Sequence, residues 1–195
     1  MKKTFKILLI CFCAGCSTRK INYEPHVNQV VSQFLRSELA NEKYRSFADK
    51  QIYIIENSNE LKAIEVYEYA LKMNGRAGEW PIESSKITAL KDNFLKTNDK
   101  WKSNDFEDFS LQVITEKEFA IMANRCRNRS NSDRHAKLII WITKPIFIDQ
   151  NKALLYFEAQ KLDLVNTAID RYAVLMKLES GKWIKKTKYY DGLYH

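Results

Sequence analysis

Cys126 stands between Arg125 and Arg127, with Arg129, Asp133 and His135 following within nine residues. Neighbouring cations lower a thiol pKa and a histidine supplies a base, so this is the one stretch in which a thiolate nucleophile could be assembled. Closeness in sequence is weak ground for it, because catalytic partners come from different elements of a fold. The balance favours a lone cysteine in a basic segment. The three histidines, His26, His135 and His195, fall nowhere near the spacing that puts two ligands on one helix face, and no C-x-x-C follows residue 16. No metal site and no cofactor are therefore expected. No G-x-S-x-G, P-loop, H-E-x-x-H or dinucleotide-binding fingerprint is present. The acidic cluster Asp105, Glu107 and Asp108 reads as a solvated loop, and catalytic residues are assigned nowhere.

Two basic stretches could bind rather than react. Arg125, Arg127, Arg129, Arg134 and Lys137 enclose a single acid, Asp133. They read as a patch for phosphate or acidic-glycan groups, or as the solvated loop that charge runs commonly form. Lys182, Lys185, Lys186 and Lys188 alternate with Trp183, Tyr189 and Tyr190. In a strand, Trp183, Lys185 and Tyr189 share one face and Ile184, Lys186 and Tyr190 the other. Trp183 is expected in the core rather than as a ligand platform.

The N-terminus bears on location. Lys2, Lys3 and Lys6 lead into the apolar run Ile7 to Phe12 and then into Cys13-Ala14-Gly15-Cys16. A positive start, a short apolar centre and small residues before a break form a secretory signal. As a helix, Ile7 to Gly15 would reach only ~13 Å at ~1.5 Å per residue, against ~30 Å of hydrocarbon, so it is too short to span. Cysteine after Ala-Gly resembles the lipobox of bacterial lipoproteins, with Cys13 in a position where Leu is usual. The resemblance implies cleavage before Cys16, acylation of that cysteine, and a membrane as the first partner. Ser17, where an aspartate would resemble an inner-membrane retention signal, points by the same resemblance to the outer membrane.

Residues 1–15 are thus expected as signal peptide, 16–24 as lipidated tether and 25–195 as one domain. Removing the signal takes three lysines from a chain of formal charge +8 and leaves 29 basic against 24 acidic residues. That surplus is too small for a dedicated nucleic-acid binder, and export directs it toward envelope anions. Of four cysteines only Cys126 would stay free, so no internal disulfide is available and stability must come from a core.

The elements that would position these residues follow from periodicity. Val27, Val30, Val31, Phe34, Leu35 and Leu39 mark one face of a helix over Pro25 to Arg45, with Gln33, Arg36 and Glu38 on its polar side. Gln51 to Glu56 reads as a strand. Asn57 and Glu60 suggest a capping box opening a helix over Leu61 to Met73, and Ser84 or Ser85 would cap another through Ile87, Leu90, Phe94 and Leu95. Trp101 and Phe106 stand as anchors in a polar stretch. Leu111 to Ile114 reads as a strand, Thr115 and Glu118 as a capping box before a short helix, and Asn124 to His135 as a loop. Five β-like runs follow: Leu138 to Thr143, Ile146 to Ile148, Ala153 to Ala159, Tyr172 to Leu178 and Trp183 to Tyr189, with turns at Asp149 to Lys152 and Ser180-Gly181. Helices first and strands last predict an α+β fold, N-terminal helices packed on one face of a C-terminal antiparallel β-meander.

Lys144-Pro145-Ile146-Phe147, Ala153-Leu154-Leu155-Tyr156 and Gly181-Lys182-Trp183 resemble a pattern in small exported bacterial proteins of unknown function. In those, a Pro-x-Phe strand, an Ala-Leu-x-Tyr strand and a Gly-Lys-Trp hairpin follow one another over about the last eighty residues. Relatives of that kind carry a paired-cysteine, glycine-rich stretch where this chain has Gln160 to Asp170, so nothing tied to such cysteines transfers. The resemblance implies a topology and no activity. The resulting expectation is a membrane-anchored lipoprotein with a non-catalytic binding or interaction domain, its partner an envelope protein or anionic glycan. The alternatives are an envelope hydrolase with dispersed residues and a polyanion- or glycan-binding surface protein.

Overall fold

Seven consecutive residues, Ala153 to Ala159, are buried in the strand Lys152–Leu162. A strand with only one face on the core would alternate, so this run demands cover on both sides. The computed structural model, which describes residues 24–75, 79–95, 99–128, 137–162 and 167–192, supplies it. Residues 1–23, Cys16 among them, lie outside that range. The elements in order are α1 (Glu24–Leu39), β1 (Ile52–Ile55), β2 (Asn57–Ser58), α2 (Glu60–Asn74), α3 (Ser84–Phe94), β3 (Asp99–Lys100), β4 (Leu111–Ile114), α4 (Glu116–Asn128), β5 (Lys137–Ile142), β6 (Ile146–Asp149), β7 (Lys152–Leu162), β8 (Thr167–Glu179) and β9 (Lys182–Tyr189). The architecture is α+β.

One seven-stranded sheet runs β4-β1-β5-β7-β8-β9, with β6 beside β7. β7, β8 and β9 form the expected antiparallel meander. β1 lies parallel to both β4 and β5, which turns the sheet into a mixed one. β5 and β6 both pair with β7 and are separated by Thr143-Lys144-Pro145, where the missing proline N–H interrupts the strand. Ser180 and Gly181, at φ 50° and 78°, make the two-residue turn into β9, and only small or permissive residues take that geometry readily.

The helices cover both faces rather than one. Val30, Val31, Phe34 and Leu35 of α1, with Tyr44 and Phe47 of the 3-10 turn Glu42–Phe47, pack on Leu155, Phe157, Tyr172, Val174, Met176 and Trp183. On the opposite face, Ala63, Ile64, Tyr67 and Ala70 of α2 and Ile87 of α3 pack on Leu154, Tyr156, Ala173, Leu175 and Tyr189. α4 covers Ile55, Ile114 and Ile139 on that same side.

Several local expectations shift. The first helix stops at Leu39, because Asn41 turns back and donates from its backbone and side chain to the Glu38 carbonyl at 3.0 and 2.7 Å. The Asn57–Glu60 box does not form: Asn57 belongs to β2, and α2 follows Asn59 without a side-chain cap. Neither serine caps α3, which follows Glu83. The Thr115–Glu118 box is present in both directions, Glu118 accepting from the Thr115 amide at 2.7 Å and Thr115 from the Glu118 amide at 3.1 Å. It starts a helix that continues to Asn128 instead of yielding to a loop at Asn124. The cause is an apolar stripe through Phe119, Met122, Ala123 and Cys126, at i, i+3, i+4 and i+7, hidden among arginines and asparagines.

Candidate functional site

Among the described residues, those singled out from sequence are spread over separate elements. Arg125 is exposed near the end of α4 and Lys137 opens β5, its ammonium 5.3 Å from the centre of the Tyr53 ring. Arg127 lies on α4, and Arg129, Arg134, Asp133 and His135 lie outside the described residues. Cys126 is half-buried against the Ile55–Ile139 cluster, the position of a packing residue. His26 is exposed beside Gln29. Among the described residues no three His, Cys, Asp or Glu side chains are placed to hold a metal ion.

Trp183 is 3% exposed and belongs to the core beneath α1. The lysines around it are rearranged by a bulge. Lys185 pairs with Met176 and Thr187 with Leu175, so Lys186 is an extra residue on β9. The bulge breaks the strict alternation predicted for this strand: Lys185 and Lys188 share the α1 face, while Tyr189 turns to the α2 face.

That shared face holds a buried carboxylate. Glu38 is fully buried, with Lys185, Lys188 and Lys43 at 2.6, 3.4 and 3.5 Å. It was placed on the polar side of the first helix, yet it stands four residues after Phe34 and seven after Val31, on the apolar stripe. A carboxylate at such a position was the available signal. Burial alone would raise its pKa, but the Lys185 hydrogen bond and the charges of Lys188 and Lys185 outweigh that and hold it below the ordinary carboxylate value. Lys188 lies 3.9 Å from the centre of the Tyr172 ring, and burial lowers its own pKa. Asp170 accepts from the Tyr44 hydroxyl at 2.5 Å and pairs with Lys43. Every charge here has an opposite neighbour, so the cluster fastens the end of α1 to β8 and β9.

Another buried carboxylate is different. Glu60, in the first turn of α2, is 4% exposed. Its Oε1 accepts from the Ser58 hydroxyl, whose oxygen in turn accepts from the Lys144 amide at 2.6 Å. Its Oε2 is buried without a hydrogen-bond partner. Burial raises the Glu60 carboxyl, hydrogen bonds from Ser58 and nearby amides offset that only in part, and Asp99 adds to the rise.

Glu60 lines a half-open pocket of about 460 Å³ with Val27, Asn28, Asp99, Trp101, Asp105 and Lys144. The first turn of α1, the start of α2, β3 and the β5–β6 break meet there. Trp101 is fixed by its indole N–H, which donates to the Ile142 carbonyl at 2.7 Å, and by its amide, which donates to the Glu56 carbonyl at 2.7 Å. The Lys144 ammonium stands 3.5 Å from Asp99 and 5.8 Å from the Trp101 ring centre. Asp105 accepts the Lys102 amide at 2.7 Å. The arrangement is a concavity with a hydrogen-bonded Trp101 in its wall and one unsatisfied buried acceptor. No sequence motif marks it, since its members are spread from Val27 to Lys144.

A third feature is an aromatic groove of about 580 Å³ lined by Tyr69, Met73, Trp80, Tyr189 and Tyr190. Met73, at 66% exposure, and the partly exposed Tyr69 and Tyr190 leave apolar surface open to solvent. No protein-family model, curated protein or solved structure matches the chain.

Proposed function

We propose that this chain is a lipid-anchored protein of the bacterial cell envelope whose folded domain binds a component of its surroundings without transforming it. The observation that carries the anchoring is the run Lys2, Lys3, Lys6, Ile7 to Phe12 and Cys13-Ala14-Gly15-Cys16. More than one acyl chain on Cys16 makes attachment stable, at ~0.8 kcal/mol per buried methylene. α1 begins at Glu24. The stretch from Ser17 to Glu24 spans at most ~28 Å at ~3.5 Å per residue, which holds the start of α1 within reach of the bilayer. Ser17 favours the outer membrane.

Binding rather than catalysis is supported by the Glu60 pocket. It is concave and preformed, and its few polar groups are fixed by Ser58, Trp101 and the backbone, which is the usual construction of a ligand site. The raised Glu60 carboxyl has Ser58 bound to it as a support. The reading is tested by feeding cells a clickable palmitate analogue and fractionating them. The wild-type chain is expected in the membrane fraction with label, and Cys16→Ser unlabelled and released. A Cys16→Ser chain that stays labelled in the membrane would overturn the anchoring.

A further inference from the structure

We draw no further inference here: the strongest candidate, the aromatic groove between α2 and the end of β9 lined by Tyr69, Met73, Trp80, Tyr189 and Tyr190, carries none, because nothing in the structure shows what covers it.

Discussion

Glu38 and Glu60, two of the three buried glutamates among the described residues, carry opposite burdens. Glu38 is ionised and surrounded: removing its charge leaves Lys43, Lys185 and Lys188 facing one another at the end of α1. Breaking a fully buried pair costs about 3–5 kcal/mol, and because these lysines are partly exposed we expect Glu38→Gln to cost roughly 2–3 kcal/mol by chemical denaturation. The sign of the pH dependence follows from its depressed pKa. The folded state holds the charged form, so the contribution is present above the ordinary carboxylate value of about 4.3 and is lost as pH falls through the lower folded value. The gap between wild type and Glu38→Gln is therefore expected to close in acid. Glu60 behaves in reverse. Its raised carboxyl makes the folded state bind the proton more tightly, so stability falls as pH rises from about 4.3 to the folded value and stays reduced above it. Glu60→Gln is expected to be more stable than wild type at neutral pH and equal to it below pH 4, read from denaturation midpoints. A variant less stable at neutral pH would mean that the charge is compensated. Only Glu38 carried a signal in the sequence, its spacing from Phe34 and Val31 on the apolar stripe. Glu38 was assigned to the wrong side of its helix, and the pocket around Glu60 exists only once four elements meet.

At the scale of elements, legibility followed the strength of the local signal. The stripe of α1, the Thr115–Glu118 box and the five C-terminal runs all became elements, though α1 stops at Leu39 and α4 runs on to Asn128. What failed were features decided by tertiary contact. The two-residue pair β2–β3 has no periodicity to display. The end of α4 was concealed by polar composition, although its stripe runs to Cys126. The alternation of β9 broke at Lys186. That residue is the surplus one in the strand, with the pairs Lys185–Met176 and Thr187–Leu175 on either side. Deleting it restores regular alternation and leaves Lys185, Lys188 and Tyr189 on their present faces. The deletion is expected to cost no more than about 1 kcal/mol, since its ion pair with Glu179 is partly exposed and surface pairs contribute little. A loss above 3 kcal/mol in a denaturant titration would show that the bulge itself is needed to seat α1.

For the whole molecule, fold class could be reached from the order of helices and strands, but the two-sided cover of the sheet required attention to consecutive burial. Ala153 to Ala159 reads as seven residues with no solvent face, and a meander open on one side could not accommodate it. The parallel pairing of β1 with β4 and β5 was beyond reach, because partner choice between distant segments leaves no trace in either one. The sheet order also determines where the molecule ends sideways. Its outer strands are β4 and β6, each only four residues long, and β9. β9 carries Lys182, Lys185, Lys186 and Lys188, is bent by its bulge, and has its Trp183 amide taken by the Gln33 side chain of α1. Short length, lysines, a bulge and a covering helix are the devices that keep one sheet from extending into another. Many copies attached to a single surface would meet far more often, and in fewer orientations, than copies free in solution. Under the anchoring proposed above, a border that resists a neighbour's strand would disfavour edge-to-edge pairing between crowded copies.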